Sequence, residues 1–445
     1  MGNPRTQIEE ESPTEVQVTL LGPEQTQEEE EEEEEKDTQL DPILRRLDIF
    51  LCFFGFHQSS LLGFLLSWAA FLLLGVSIPV VILRVSSCYD CEKHQIYNFE
   101  LDIIVSRSCL AAVSLGCVSH NLRKYGIRKF LFVDRLHGQM LRFRKEYTEK
   151  IQGFFRLLFF WIFPCFLLKT ACEVIRIAYA YHDFWWQSVA MLLASVISWI
   201  YLITISLTAC LLFNLVCNLQ VIHLENYGKL LERDSDVSVF IEEHLRLRLH
   251  LSKISHRFRI FLLLAFLVVT ASQFVTLFRA MASRRIINFI NECDFAVFSI
   301  VQVVGIILCL NAAVKISHRA QGVVSVVCRW HALLTCNSTD ASELRVSNSA
   351  GSLEAMNPSG SLPMNYSESD LESLDYLAHP INTQPVSYMS TYHKRQAFVT
   401  YLQSNPGGIT IFGWTVDRAL INTIFFLEFT LVLFVLGNTL GLTAN

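Results

Sequence analysis

Seven apolar segments constrain this chain more than any other feature of its sequence. Each is long enough to cross the hydrocarbon core of a bilayer, which takes about 17–25 helical residues. The segments are Leu61–Leu83, Asp102–Ser119, Phe154–Ala180, Ser188–Cys217, Phe261–Phe278, Phe295–Val314 and Ala419–Leu440. Of the 445 residues, 52% are hydrophobic and only 18% are charged, which is uncommon in a soluble protein. The sequence therefore predicts an all-α integral membrane protein, a seven-transmembrane helical bundle.

The lysines and arginines between these segments predict how the bundle is oriented. The connection after the second segment carries nine of them, and the connection after the fourth carries seven. The connection after the first segment carries only Arg84 and Lys93. Because basic connections stay on the cytosolic side of a membrane, we expect the N-terminus inside and, after seven crossings, the C-terminus outside.

Two polar stretches flank or interrupt the apolar body. Residues 1–40 contain eight consecutive glutamates, Glu28–Glu35, and are predicted to form a disordered acidic tail. Residues 336–392 are rich in Ser, Asn and Pro and are predicted to be a disordered cytosolic insert. Residues 41–335 then hold six transmembrane helices with cytosolic extensions, and 393–445 hold a short cytosolic helix and the seventh span. Asn337 and Asn365 match the N-glycosylation pattern, but on a cytosolic loop they should stay unmodified.

The fourth and fifth segments continue beyond the apolar stretch. Asn218–Glu232 keeps a helical pattern, a polar break follows, and the next helical pattern leads directly into the fifth segment. An apolar stripe recurs there at spacings of four, three and four, which is typical of an amphipathic helix. The stripe consists of Leu247, Leu251, Ile254 and Phe258. It predicts a cytosolic helical hairpin whose stripe has a partner in the same subunit or in another.

Four cysteines are expected at the outer face: Cys88, Cys91, Cys172 and Cys293. Because that face is oxidising, a disulfide is favoured, whereas one CxxC pair is weak evidence for zinc. The sequence has no phosphate-binding loop, dinucleotide glycine pattern, HExxH motif or nucleophile paired with a base. We therefore expect that the protein is not an enzyme and that it has no cofactor, metal site or nucleic-acid partner.

Charged residues inside the apolar segments are costly in lipid, so each needs a reason to be there. Lys169 and Glu173 are four residues apart and are expected to pair on one helix face. Arg107 has possible partners in Asp102 and Glu428. Glu428, in the last segment, is either half of a buried ion pair or a member of a ring that lines a pore and attracts cations.

The last segment carries a resemblance to a known family. In the insect gustatory and odorant receptor superfamily, the last helix often reads Thr-Tyr, five apolar residues, then Gln-Phe. Here "INTIFFLEF" has that spacing: Phe429 matches, Glu428 replaces Gln, and Ile421 and Asn422 replace Thr and Tyr. From about Leu40 to its end, the chain resembles the plant gustatory-receptor-like family, a plant membrane domain of unknown function related to that insect chemoreceptor superfamily.

The resemblance implies a homotetrameric, ligand-gated cation channel in the plasma membrane. A cytosolic anchor would join the subunits through the stripe Leu247, Leu251, Ile254 and Phe258 and a short helix, His393–Ser404, with a break at Asn405–Gly408. The last helix would line the pore with Phe425, Glu428, Val432 and Val435, and an unidentified small molecule would bind among the other helices. The alternatives are a non-conducting membrane receptor or scaffold with the same fold, or a transporter.

Overall fold

The computed structural model describes residues 42–58, 60–86, 93–132, 140–179, 185–231, 237–282, 289–339, 391–405, 407–426 and 430. The helices are α1 (42–53), α2 (Leu61–Ala70), α3 (Ile78–Ser86), α4 (Lys93–Phe130), α5 (Met140–Tyr179), α6 (Trp185–Leu231), α7 (Val237–Ala282), α8 (Phe289–Thr339), α9 (Thr391–Ser404) and α10 (418–426). A π-helical segment, Phe71–Ser77, joins α2 to α3. Two short strands, β1 (Thr410–Ile411) and β2 (Trp414–Thr415), form an antiparallel hairpin before α10.

Six helices in the described part of the chain are long and apolar enough to cross a membrane. They are Leu61–Arg84, Glu100–Phe130, Lys145–Ile175, Trp185–Leu230, Val237–Val275 and Val297–Leu333. The first six apolar segments of the sequence are thus confirmed as helices of spanning length and composition. The seventh begins as α10, and most of the rest of it lies outside the described residues.

Three of the helices are much longer than a bilayer is thick. Helices α6, α7 and α8 have 47, 46 and 51 residues, so each is about 70 Å long or more at 1.5 Å per residue. The hydrocarbon core measures only about 30 Å. The end of α6, the start of α7 and the end of α8 therefore project together from one end of the bundle. We call this the basic end, because the connections rich in Lys and Arg lie there.

Helix α6 forms the centre of the bundle and is buried over most of its length. It packs against α3, α4, α5, α7 and α8. The first span approaches it closely at Gly75, where an added Cβ would lie 2.8 Å from Leu202 Cδ2. A side chain at this position would therefore force the Leu202 side chain to move.

The π-helical segment lies just before a proline and is joined to α4 at Gly75. Pro79 has no N–H, so it cannot pair with the carbonyl of Gly75 four residues earlier. The hydroxyl of Ser108 on α4 donates a hydrogen bond to Gly75 O at 3.2 Å. A backbone carbonyl within a bilayer needs such a donor, because no water is available there. The irregularity consequently ties the first span to α4.

Helix α1 packs against the bundle before the first span and was not predicted from the sequence. Leu44, Leu47 and Leu51, at spacings of three and four, are buried. Phe50 makes edge-to-face contacts with the Phe154 and Phe155 rings of α5, at centroid distances of 6.2 and 5.6 Å. These contacts hold α1 at the basic end of α5.

The two helices that flank the predicted insert extend slightly into its predicted range, 336–392. Helix α8 continues to Thr339, and α9 begins at Thr391. The remainder of the insert and the acidic tail, residues 340–390 and 1–41, lie outside the described residues.

Candidate functional site

The described part of the last helix packs on the bundle with one face and leaves the other exposed. Leu420, Ile421 and Ile424 pack against the core. Asn422 and Phe425 are exposed, Phe425 to 46%. Of the residues predicted to line a pore, only Phe425 is described; Glu428, Val432 and Val435 lie outside the described residues, as does Phe429 of the family motif.

The start of α10 is fixed by an acidic cap. Asp417 Oδ1 accepts a hydrogen bond from the backbone N–H of Leu420 at 2.9 Å. This is the N-cap geometry, in which a short side chain satisfies an otherwise unpaired N–H of the first turn. The carboxylate also suits the positive end of the helix dipole. The entry of α10 is therefore set by Asp417.

The hairpin before α10 is bound to α7 and α8 through buried serines. Ser317 Oγ accepts a hydrogen bond from the N–H of Ile409 at 3.3 Å, and Ser255 Oγ accepts one from the N–H of Thr410 at 3.0 Å. Ile409 and Val416 are buried, and the N–H of Val416 donates to Ile409 O at 2.9 Å. A shift of α7 against α8 would consequently move the base of α10.

Helix α9 docks on the projecting parts of α7 and α8. The rings of Phe398 and Phe240 are stacked 6.2 Å apart, and Tyr401 meets the ring of His244 edge-on at 5.6 Å. On α8, Gln403 Nε2 donates to Cys328 Sγ at 3.5 Å. The short helix predicted before the last span is thus present and packs beside the helical hairpin.

The apolar stripe of α7 is buried within its own subunit. Leu247, Leu251, Ile254 and Phe258 are all buried in the single chain. Phe258 contacts the rings of Phe213 and Phe130 at centroid distances of 5.0 and 5.6 Å. Of the two partners that the sequence left open, the structure provides the one in the same subunit. The predicted role of these four residues as the oligomer anchor stays a prediction.

Lys169 and Glu173 form a buried ion pair in the half of the bundle opposite the basic end. Lys169 Nζ lies 2.6 Å from Glu173 Oε1, and the two side chains are only 4% and 6% exposed. Ser195 Oγ on α6 donates to the same carboxylate oxygen at 3.0 Å. The pairing predicted from the spacing is observed. Asp102 and Arg107 are both half-buried on α4, and the alternative partner Glu428 lies outside the described residues.

A second polar cluster joins α7 to α8 in the same half. Gln302 Oε1 accepts hydrogen bonds from Ser272 Oγ at 2.8 Å and Gln273 Nε2 at 2.9 Å. Ser299 Oγ donates to Gln273 Oε1 at 3.2 Å. Gln302 Nε2 is buried, and none of the described residues accepts a hydrogen bond from it. The cluster retains a donor for water or a small polar ligand.

The predicted outer cysteines are only partly described. Cys172 on α5 is disulfide-bonded. Cys88 and Cys91 lie outside the described residues, as does the side chain of Cys293, so the pairing stays a prediction. Within the described part of the chain, no group of three or more His, Cys, Asp or Glu side chains is placed to hold a metal ion.

A family model for a protein of unknown function, DUF3537, matches residues 42–427, which include every described helix from α1 to α10. The chain belongs to the DUF3537 family. None of the curated proteins is similar to it in sequence. Its family membership by itself therefore assigns no activity.

The fold of this DUF3537 protein is similar to that of an insect olfactory receptor. The structure of OR5 from Machilis hrabei in complex with eugenol matches with a TM-score of 0.53 at 13% identity, covering 90% of this chain and 99% of that one. OR5 without the ligand matches with a TM-score of 0.51, again at 13% identity, covering 90% of this chain and 98% of that one. At this identity the likeness establishes the fold alone: a multi-pass helical membrane protein with the chemoreceptor-like arrangement.

Proposed function

We propose that this protein is a homotetrameric, ligand-gated cation channel whose pore is lined by its last helix. The observation that carries the proposal is the exposed face of α10, on which polar Asn422 lies three residues before Phe425. A polar side chain on a membrane helix is expensive against lipid and usually faces water or another helix. On an axis shared by four copies, this face would meet both water and the last helices of the other copies.

The sequence extends the same face into the rest of the last segment. Glu428, Val432 and Val435 follow Phe425 at spacings of three, four and three, so a continuous helix would place them in one row. Apolar rings can close a narrow pore by excluding water, and acidic rings favour cations. A small organic ligand is part of the proposal because the similar fold of OR5 was solved with eugenol bound. Catalysis is not.

The proposed topology places the N-terminus and the basic end in the cytosol and the C-terminus outside, in the plasma membrane. Its support is the distribution of Lys and Arg, which keeps basic connections inside. A glycosylation sequon appended after Asn445 should be modified in a cell, and the natural sequons at Asn337 and Asn365 should remain bare. The measurement is the mobility shift on removing glycans. If the natural sequons carried glycans and the appended one did not, the proposed topology would be wrong.

Glu428→Gln separates the two explanations of the carboxylate in the last segment. If Glu428 lines the pore, the variant should fold and assemble normally while its preference for cations falls. If Glu428 is half of a buried ion pair, the variant leaves the buried cation without its partner. It should then lose about 3–5 kcal/mol of stability. Thermal unfolding in detergent and ion selectivity in bilayers are measured on the same preparation. A strongly destabilised variant would remove Glu428 from the pore.

Assembly tests the proposal without requiring a ligand. A pore on a shared axis needs four copies, so the purified protein in nanodiscs should have the mass of four 50.9 kDa chains plus lipid and scaffold. The matched measurement uses an empty nanodisc of the same lipid. A single chain per disc would contradict the tetramer and favour a transporter, since a transporter can hold its pathway within one subunit.

A further inference from the structure

The tip of the β-hairpin has a backbone conformation that its sequence does not favour. The two turn residues, Phe412 and Gly413, have φ of 49° and 87°, and they connect strands paired in the register Thr410↔Thr415 and Ile411↔Trp414. A two-residue hairpin turn with both φ positive normally carries Asn-Gly or Asp-Gly. A bulky residue at positive φ is an outlier, so the aromatic side chain at this tip calls for a reason beyond turn formation.

The aromatic side chains of the tip are exposed, whereas the base of the hairpin is buried. Phe412 is 58% exposed and Trp414 is 73% exposed. Ile409 and Val416, at the base, are buried. The hairpin therefore holds two large aromatic side chains out from the surface of the subunit on a fixed support.

The support fixes the depth of the hairpin relative to the bilayer. Ser255 lies six residues before the apolar stretch that starts at Phe261, and Ser317 lies three residues after the one that ends at Val314. At 1.5 Å per residue these attachment points stand about 9 and 4.5 Å beyond the apolar stretches. The headgroup layer on each side of the core is about 5–8 Å thick. One attachment point thus lies within the headgroup layer and the other at its outer edge.

The surface beside the tip has the character of a surface that contacts lipid. The guanidinium of Arg259 lies 5.4 Å from the centre of the Phe412 ring. Ile260, Leu263 and Leu267 follow on α7 and are all exposed, so an apolar face runs from the tip into the bilayer. Tryptophan and arginine side chains are favoured at the boundary between lipid and water.

We propose that the hairpin tip is a membrane-interface anchor, in which Phe412 and Trp414 insert among the phospholipid headgroups at the basic end and Arg259 faces the lipid phosphates. The tip then fixes the depth at which α10 enters the bilayer. The anchor requires neither ion conduction nor assembly, so it stands or falls separately from the proposed function.

Tryptophan quenching in vesicles tests the anchor. The full-length protein and Trp414→Phe are reconstituted in phosphatidylcholine with or without bromines near the headgroup end of the acyl chains. The difference between the two proteins isolates the emission of Trp414. Most of this emission should be lost in brominated lipid and little of it to aqueous iodide. Trp330→Phe is the matched control, because Trp330 packs on Phe240 in the projecting part of α8, 16 residues beyond Val314. Its difference emission should resist the brominated lipid.

Every other pattern overturns the proposal. Quenching by iodide alone would make the tip a solvated loop, and resistance to both quenchers would mean that protein, such as a second copy, covers it. Phe412→Asn supplies a second variant, because Asn-Gly suits this turn and the fold should be kept. In that variant the quenching of Trp414 by brominated lipid should fall clearly while thermal stability in detergent is unchanged or higher. Unchanged quenching would contradict a role for Phe412 in the anchor.

Discussion

Lys169→Met is expected to lower the free energy of unfolding by about 3–5 kcal/mol, because it removes the cation from a buried carboxylate. Lys169 Nζ and Glu173 Oε1 are 2.6 Å apart with almost no exposure, and Ser195 donates to the same carboxylate. Replacing both charged residues, as in Lys169→Met with Glu173→Leu, should recover most of the loss, since an apolar pair of similar volume needs no partner. Thermal unfolding in detergent measures all three proteins.

A matched control lies on the surface of the same chain. Arg246 and Glu242 have the same four-residue spacing and are 3.4 Å apart, but their side chains are 62% and 73% exposed. Arg246→Met should cost no more than about 1 kcal/mol, because water screens an exposed pair. Equal effects of Lys169→Met and Arg246→Met would show that burial of the first pair adds nothing.

Phe258→Ala is expected to destabilise each subunit by about 3–5 kcal/mol, through lost contacts and the cavity left behind. The Phe258 ring is buried between Phe130, Phe213 and Phe261, at the level where the bundle passes into its basic end. Ile260→Ala, two residues along the same helix at an exposed position, should change stability by at most about 0.5 kcal/mol.

The comparison of Phe258→Ala with Ile260→Ala also shows whether the apolar stripe of α7 stabilises its own subunit or the contact between subunits. If Phe258 serves its own subunit, Phe258→Ala lowers the unfolding temperature of the monomer and the oligomer alike. An unchanged unfolding temperature, with loss of the oligomer alone in native electrophoresis, would instead return Phe258 to the interface between subunits.

The spans and the helical hairpin could be predicted because apolar length and helical periodicity are local properties of the sequence. The same periodicity was available for the end of α8, where Ile316, Ala320, Val323 and Val327 recur at spacings of four, three and four and are buried. That stripe supports the cytosolic extension of the sixth helix that was predicted within residues 41–335. Helix α1 was missed because its stripe, Leu44, Leu47 and Leu51, is too short to stand out before a longer apolar run.

The β-hairpin formed by β1 and β2 could not be predicted because its stabilising contacts are not local. Phe412-Gly413 is not a turn sequence that favours positive φ at both positions, and the strands have two residues each. The partners that hold the hairpin, Ser255 and Ser317, are 155 and 92 residues away from the atoms they bind. Tertiary contacts therefore determine this element, and a pattern within a few residues does not reveal it.

Ion conduction by the purified protein tests the proposed channel most directly. Reconstituted in planar bilayers between unequal potassium chloride solutions, tetramers should give discrete currents that reverse near the potassium equilibrium potential, and protein-free membranes should give none. Glu428→Gln should shift that reversal potential toward zero, because the ring that favours cations is neutral. Silent membranes, with and without candidate small ligands, from protein of confirmed tetrameric mass would contradict the channel and leave a non-conducting receptor or scaffold of the same fold.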